Sequence, residues 1–351
     1  MKIQHDDLRG FTASIFAAAG CAEQEATCVA NHLVDANLAG HDSHGVIRIP
    51  RYVSWIDEGK VVANQRPEVV LESENMAVLD GKWGLGQVAG EIAVQMGIDK
   101  SANGVSVIAL RNVGHLGRIG DWPLMAAEAG RISIHFVNTS GAGLLVSPFG
   151  GIDRRLSANP FAVGIPVENG EHLILDISAC TIAEGKIRVA LNSGLQVPAG
   201  CIVDAEGNPT TDPQVFYDAP GSILPIAGHK GYALSLVIEM LAGALTGGGC
   251  SNVANKDRLA NGMLSIYIEP STLIDLQEFS AEVDRFVEFV KSSRTVAEDG
   301  QILMPGDIER IRHGERVAGG IELDEVTWRQ IHETATELDV ADGMPAARSG
   351  G

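Results

Sequence analysis

The chain has 351 residues, of which 45% are hydrophobic and 20% are charged, so it can bury a sizeable core as two domains or as one enzyme-sized unit. Its 45 acidic and 26 basic residues give a formal net charge of −19, which repels nucleic-acid phosphates and predicts no nucleic-acid partner. No apolar run approaches the ~20 residues of a membrane-spanning helix, so we expect no membrane partner.

Three helices are predicted in the first sixty residues. Apolar residues recur at helical spacing after the start signal Asp6-Asp7, again over residues 23–39, and again from Ile49 to a stop near Gly59. Residues 1–75 are therefore predicted to form a helical N-terminal unit that packs with the C-terminal part.

The middle of the chain predicts a sheet. Short strands are predicted at 69–71, 76–80, 105–110, 132–138, 161–166 and 173–178, with helices at 87–100 and 119–130. Some of these strands are apolar throughout and others alternate, which favours a mixed sheet over a purely parallel one.

The last third predicts one unusual helix. Residues 230–245 are apolar on nearly all sides, so we expect a buried helix at a subunit contact. A strand at 265–269, helices at 275–291 and 324–338, and a flexible tail at 341–351 complete the prediction. The predicted division is 1–75, 76–250 for the cofactor and substrate domain, 251–340 for a C-terminal α/β part, and the tail.

The cysteines predict a reducing, cytoplasmic environment. They are odd in number and have no Cys-x-x-Cys spacing: Cys21, Cys28, Cys180, Cys201 and Cys250. Such a set favours reduced thiols over a disulfide framework or a zinc site. Residues 18–21 resemble a lipoprotein cleavage site, but charged residues interrupt the segment before them, and we expect no leader peptide.

Residues 38–52 concentrate reactive groups between the second and third predicted helices. Gly40 marks the end of one helix and Pro50 the first turn of the next, so the polar side chains between them sit in a short turn on a rigid scaffold. Capping of the two helices is the structural alternative. His41 and His44 could instead bind a metal in a lyase or hydrolase, but a third ligand at fixed spacing is absent, and no metal is expected.

Glycine-rich turns offer two candidate nucleotide sites. Residues 84–89 match G-x-G-x-x-[GA], but the next strand ends at Arg111 rather than at an acidic residue for the ribose, so the signal is weak. Residues 112–121 place three glycines between a strand and a helix, where backbone amides can converge on an anion. In that turn Arg118 could add charge, and His115 could act as an acid/base or as a cap.

Six motifs occur together and in order. They are His41-Asp42-Ser43-His44-Gly45-Val46-Ile47-Arg48, Gly114-His115-Leu116-Gly117, Asn159-Pro160-Phe161-Ala162, Leu175-Asp176-Ile177-Ser178, Pro209-Thr210-Thr211-Asp212-Pro213 and Gly228-His229-Lys230-Gly231-Tyr232. In this the chain resembles the malate/L-lactate dehydrogenase family that is distinct from the Rossmann lactate dehydrogenases, and within it the hydroxycarboxylate dehydrogenase-like members.

The resemblance implies an α/β (α+β) fold: a non-Rossmann NAD(P)-binding fold with a largely antiparallel mixed sheet and a helical N-terminal unit. It also implies a homodimer and hydride transfer between NAD(P) and a small 2-hydroxy or 2-oxo acid such as malate or lactate. Of the two cofactors, we slightly prefer NAD. A cyclic imino-acid reductase of the same family is the alternative within it, and a nucleotide sensor without turnover is a third hypothesis.

Site residues follow from the same resemblance. His44 matches the proton donor, Ser43 its relay and Glu184 the third relay member, while Arg48 matches the group that binds the substrate carboxylate. His115 is a further acid/base candidate. The implied cofactor contacts are Leu116, Gly117, Arg118, Ile119, Gly120, Asp176, Ile177, Ser178, His229 and Lys230.

Overall fold

The computed structural model describes residues 1–141, 143–168, 171–192, 194–218, 220–253 and 258–346. The chain starts with a short strand β1 (Lys2–Ile3) and three helices, α1 (His5–Ala18), α2 (Glu23–Leu38) and α3 (Ile49–Asp57). The three predicted N-terminal helices are therefore confirmed. They end close to the predicted positions because the apolar spacing and the glycine and proline signals act locally.

A seven-stranded sheet forms the centre of the molecule. Its strands are β2 (Glu68–Glu72), β3 (Met76–Asp80), β4 (Val105–Val113), β5 (Ile132–Gly141), β6 (Pro160–Ile165), β7 (Leu173–Ser178) and β11 (Leu259–Ile268). They lie in the order β2-β3-β4-β11-β5-β6-β7. Only β3 and β4 pair in parallel among these strands, so the prediction of a largely antiparallel, non-Rossmann sheet is confirmed.

The central strand of this sheet comes from a distant part of the chain. β11 pairs with both β4 and β5, which places Leu264 opposite Ala109 on one side and Phe136 on the other. The sequence predicted a strand only at 265–269, because Asn261 and Gly262 are not typical of strand interiors. Asn261 is nevertheless buried at 3% exposure, and its side chain satisfies two backbone groups from neighbouring segments.

Two helices cover one face of the sheet, α4 (Gly86–Lys100) and α5 (Asp121–Glu128). They share a hydrophobic core with β3, β4 and β11. At Gly97 on α4, a Cβ would lie 2.1 Å from the ring of Tyr267 on β11, so a glycine is required for the helix to approach the sheet this closely.

A smaller unit follows β7 along the chain. It contains α6 (Glu184–Asn192), α7 (Pro213–Asp218) and a three-stranded sheet of β8 (Ile202–Val203), β9 (Pro209–Thr210) and β10 (Ser222–Ile223). Its own hydrophobic core includes Ile187, Ile202 and Phe216. The sequence did not predict these elements, because short strands and helices carry too few periodic residues.

The apolar helix near residue 230 differs from its prediction. It is an α-helix, α8 (His229–Ile238), that continues as a π-helix over Glu239–Leu245. One side faces the sheet, but Val237, Met240 and Leu245 are 50%, 60% and 67% exposed in the single chain. The expectation that the whole helix is buried is therefore wrong for the single chain, because only the face with Glu239 and Ala242 packs on the sheet.

The C-terminal elements return to the N-terminus. α9 (Leu276–Lys291), α10 (Asp307–Gly319), β12 (Ile321–Glu322) and α11 (Glu325–Glu337) follow β11, and β12 pairs with β1. Trp328 and Ile331 of α11 share one core with the N-terminal helices. Residues 341–343 form a 3-10 turn and Met344 packs against this core, while residues 347–351 of the predicted tail lie outside the described residues. The domain limits stay a prediction.

No helix in the described ranges combines the length and the apolar character that crossing a membrane requires.

Candidate active site

The polar stretch between α2 and α3 folds into two consecutive 3-10 turns, Asp42–His44 and Val46–Arg48. Asn37, at the end of α2, binds both turns: its Nδ2 donates to Asp42 Oδ1 at 2.6 Å, and its Oδ1 accepts from the Val46 amide at 2.8 Å. Asn37 is 1% exposed. A buried amide with both ends satisfied is a rigid support, so the side chains of this segment are held in fixed positions.

Helix α10 braces the same segment from the other end of the chain. Arg316 donates to both carboxylate oxygens of Asp42, at 2.6 and 3.0 Å, and His41 Nε2 lies 3.1 Å from Glu309 Oε1. His41 is thus paired with Glu309 rather than with His44. Among the described residues the two histidines do not converge with a third metal ligand, which disfavours the metal hypothesis at this pair.

Two imidazoles form the centre of the site. The rings of His44 and His115 stack with their centroids 5.2 Å apart and an interplanar angle of 3°. His115 Nδ1 lies 2.6 Å from the Tyr52 hydroxyl, and Gln87 Nε2 donates to the same hydroxyl at 3.1 Å. A Tyr52 hydroxyl that accepts from Gln87 can donate its own hydrogen to His115 Nδ1. In that arrangement neutral His115 carries its proton on Nε2, as a hydrogen-bond donor.

Both histidines are neutral near neutral pH. Burial, the larger cause, and the positive charge of Arg48 together lower the pKa of His44 to about 3. Burial and the same arginine also hold the pKa of His115 well below its ordinary value. His44 Nδ1 is buried and has no hydrogen-bond partner in the described part of the chain. A buried polar atom without a partner is costly and marks a place where a ligand can bind.

Arg48 projects from the second turn beside these rings. Its Nε donates to the Ser43 carbonyl at 2.6 Å, which fixes the base of the guanidinium. Its charge is close enough to lower the pKa of both His44 and His115. A planar cation next to two neutral imidazoles suits a small substrate that has a carboxylate beside a reacting oxygen.

Glu184 lies at the first residue of α6, and this helix start touches the Ser43 segment. A Cβ on Gly185 would lie 2.5 Å from the Ser43 Cβ. The Glu184 carboxylate accepts from Tyr217 at 2.8 Å and from Arg188 at 2.6 Å. The backbone next to Glu184 thus lies close to Ser43, but the Glu184 carboxylate is paired with Tyr217 and Arg188. Its role in a relay stays a prediction.

The glycine turn before α5 has a preformed arrangement of amides. The Leu116 amide donates to Asn261 Oδ1 at 2.9 Å and the Gly120 amide to Asp176 Oδ2 at 2.8 Å. In the described ranges none of the three amides between them, at residues 117–119, donates to a backbone or side-chain acceptor. Successive amides of this kind around a positive φ of 77° at Gly117 are a candidate anion site.

Arg118 adds a buried cation to this turn. It is 6% exposed, and its Nη1 donates to Asp121 at 2.8 Å, while its Nε has no partner among the described residues. Burial opposes ionisation of Asp121, but Arg118 lowers the pKa of this carboxyl below its ordinary value. Free amides and a spare guanidinium NH fit the anionic part of a nicotinamide dinucleotide.

His229 and Lys230 open α8 and are both exposed. The backbone just before them meets the end of β7, where the Ala179 carbonyl accepts from the Ile226 amide at 3.0 Å. β7 in turn meets the glycine turn, where Asp176 accepts from the Gly120 amide. Ile177 and Ser178 lie at the end of β7 between these contacts. The three predicted cofactor segments are therefore neighbours along the backbone, and their role in binding a cofactor stays a prediction.

The G-x-G-x-x-A segment has a packing role. A Cβ on Gly86 would lie 2.2 Å from the His115 carbonyl oxygen, and the Gly84 carbonyl accepts from the Gly114 amide at 2.9 Å. The glycines let this segment press against the turn that holds His115. This agrees with the weak rating of the nucleotide fingerprint.

Gly86→Ala is expected to lower the free energy of unfolding by ~1–3 kcal/mol, because the added methyl group overlaps the backbone of His115. NADH affinity per folded molecule should stay close to that of the wild type. Urea unfolding and NADH fluorescence titration measure the two effects. Gly314→Ala is the control, since its added Cβ meets open space in α10. Loss of NADH binding without loss of stability would restore the fingerprint interpretation.

Sequence reasoning gave no role to Tyr52, Gln87 or Asn37. Tyr52 is inside the polar stretch but resembles a core residue, and it is 2% exposed. A buried polar group needs a partner. The Tyr52 hydroxyl and the buried Gln87 side chain were therefore the available signal that these residues have polar partners in the site.

Comparison with known proteins places this site in a family. The model of the malate/L-lactate dehydrogenase family matches residues 3–332. Hydroxycarboxylate dehydrogenase B from Escherichia coli O157:H7 is 42% identical over 96% of this chain and 93% of its own. L-sulfolactate dehydrogenase from Methanothermobacter thermautotrophicus is 37% identical over 97% and 98%. The structure of sulfolactate dehydrogenase from Methanocaldococcus jannaschii superposes with a TM-score of 0.87 at 35% identity, covering 97% of this chain and 98% of that chain. The chain belongs to the malate/L-lactate dehydrogenase family.

Proposed function

We propose that the protein is an oxidoreductase that transfers a hydride between NAD(P) and a small 2-hydroxy or 2-oxo acid. The observation that supports this best is the pair of neutral, stacked imidazoles of His44 and His115 beside Arg48. The named relatives, which are hydroxycarboxylate and sulfolactate dehydrogenases, act on acids of this class.

Each residue of the site has a separate role in the hydride transfer. Arg48 binds the substrate carboxylate, which orients C2 and its oxygen toward the imidazoles. His44, being neutral, accepts the hydroxyl proton when a 2-hydroxy acid is oxidised and returns it in the reverse direction. His115 donates a hydrogen bond from Nε2 to the same oxygen. The hydrogen bond between Tyr52 and Nδ1 keeps His115 in the tautomer that this requires. When bound, the nicotinamide supplies the acceptor for the hydride that leaves C2.

The cofactor would lie across the joined segments of the glycine turn, the end of β7 and the start of α8. The amides at residues 117–119 and the Arg118 guanidinium bind its anionic part. Lys230 adds a positive charge at the N-terminal end of α8, where the helix dipole already favours an anion. NAD is the preferred nicotinamide, because a 2′-phosphate would bring further negative charge to a chain with a net charge of −19.

We also propose that the protein is a cytoplasmic homodimer. The exposed apolar row of Val237, Met240 and Leu245 on one helix suits a subunit contact. Five free cysteines suit a reducing compartment.

A panel of 2-oxo acids tests the function, with initial rates measured using NADH and NADPH in parallel. Turnover of 2-oxo acids that depends on NADH or NADPH is the expected result. Turnover only of cyclic imino acids would point to the reductase alternative, and turnover of none of these substrates would contradict the proposal.

Lys230→Ala is expected to weaken NADH binding several-fold and to leave a residual affinity that depends on salt. The lost ammonium lies at the N-terminal end of α8, where its charge adds to that of the helix dipole. Fluorescence titration at two salt concentrations measures this. Lys291→Ala, at the end of α9, is the matched control and should bind as the wild type does. Equal affinities of the two variants would remove Lys230 from the cofactor site.

A further inference from the structure

A second cluster of ligand-type side chains lies outside the proposed active site, between α2 and α4. Cys28 and His32 are one helical turn apart on α2, and Glu91 faces them from α4. One ligand atom from each side chain lies within 4.8 Å of the other two, and His32 Nε2 lies 3.1 Å from Glu91 Oε1. Ligands at about 2 Å from a tetrahedral ion are about 3.3 Å apart, so the nitrogen and the oxygen already have the required spacing.

The surroundings of His32 match those of a metal-binding histidine. Its other ring nitrogen, Nδ1, lies 3.2 Å from Asp121 Oδ2. A carboxylate that accepts from Nδ1 fixes the ring and turns Nε2 toward an ion. The centroid of the Trp122 ring lies 5.0 Å from that of His32, so Trp122 packs against one side of the imidazole. Asp121 in turn binds Arg118, so the orienting carboxylate is itself held in place.

We propose that Cys28, His32 and Glu91 bind one divalent, thiol-seeking cation of the Zn²⁺ class. The thiolate and the carboxylate supply two negative charges, which balance the two positive charges of the ion, and the imidazole binds as the neutral ligand. The ion takes the place of the thiol proton and of the proton between His32 and Glu91, and both protons are released to solvent. Water completes the fourth position, because the Glu91 side chain is 48% exposed.

The ligand set selects the class of ion. Sulfur, nitrogen and a single carboxylate oxygen are typical of Zn²⁺, whereas Mg²⁺ and Ca²⁺ prefer sets made of oxygen. The site joins α2 of the N-terminal unit to α4 on the sheet. An ion bound here links two parts of the protein that have separate hydrophobic cores, so it should stabilise the folded chain.

Calorimetric titration of the metal-stripped, full-length protein with Zn²⁺ tests the proposal. We expect one ion per chain in the wild type, at least tenfold weaker binding in Cys28→Ser and in Glu91→Gln, and unchanged binding in Cys250→Ser. The control replaces a cysteine of similar, partial burial. The melting temperature should rise with Zn²⁺ in the wild type and not in Cys28→Ser.

Titration with Co²⁺ gives a readout that does not depend on affinity alone. A near-ultraviolet absorption from thiolate to cobalt should appear in the wild type and in Cys250→Ser and be lost in Cys28→Ser. Absence of stoichiometric Zn²⁺ binding to the wild type would overturn the proposal and leave His32 as a hydrogen-bonded bridge between Glu91 and Asp121. Binding that survives Cys28→Ser and Glu91→Gln unchanged would also overturn it, since the ion would then lie elsewhere.

Discussion

His44→Ala is expected to lower turnover by ~10²–10⁴-fold, the usual contribution of a positioned acid/base, and to leave NADH binding intact. The ring that stacks on His115 at 5.2 Å is lost, and with it the group placed to exchange a proton with the substrate oxygen. Steady-state rates and NADH fluorescence titration measure the two properties separately.

His41→Ala is the matched control for this variant. His41 lies in the same segment but bonds to Glu309, so its loss should change turnover far less. If His44→Ala kept near-normal turnover, the proton would have to come from another group, and His115 would be the first candidate.

The pH dependence gives a second test of His44. Burial lowers its pKa to about 3, so the base form persists through the range in which an ordinary histidine, with a pKa of about 6.5, takes up a proton. For oxidation, kcat/KM should therefore show no loss on acidification through pH 6.5. For reduction, which needs the protonated form, kcat/KM should fall as the pH rises. An acid limb near pH 6.5 in the oxidation profile would contradict this assignment.

The sequence predicts most of the elements that position the site because their signals are local. The N-terminal helices follow from apolar spacing, and the turn at residues 112–121 follows from its glycines. The contacts of α10 could not be predicted in this way. Glu309 and His41 are 268 residues apart in the chain, and α10 has no buried residue, so it lacks the apolar stripe by which a packed helix is recognised.

The side-chain pairings of the site were also beyond the sequence. Tyr52, Gln87 and His115 come from α3, α4 and the turn after β4 and meet only in the folded chain. The same holds for Glu91 opposite Cys28. The scattered cysteines argued against a zinc site because sequence motifs detect only ligands at short spacing. Cys28, His32 and Glu91 instead converge across two helices.

Arg48→Ala is expected to lower kcat/KM for 2-oxo acids by a factor that corresponds to ~2–5 kcal/mol of lost interaction energy, as for other desolvated charge pairs. The guanidinium is anchored by its bond from Nε to the Ser43 carbonyl, which leaves its terminal nitrogens for a carboxylate. Rates with a 2-oxo acid and with its uncharged amide measure how much of the loss depends on the carboxylate. The acid should lose most of its rate advantage over the amide.

Arg48→Lys separates charge from geometry at the same position. A lysine keeps the positive charge that lowers the pKa of His44, but it offers neither the fork that binds a carboxylate with two bonds nor the Nε that binds Ser43. We therefore expect only partial recovery of kcat/KM for the acid. Arg51→Ala, one turn away on the exposed side of α3, is the matched control and should behave as the wild type does. If Arg48→Lys matched the wild type, the substrate would need only a point charge here, and the two-bond interaction with the carboxylate would be wrong.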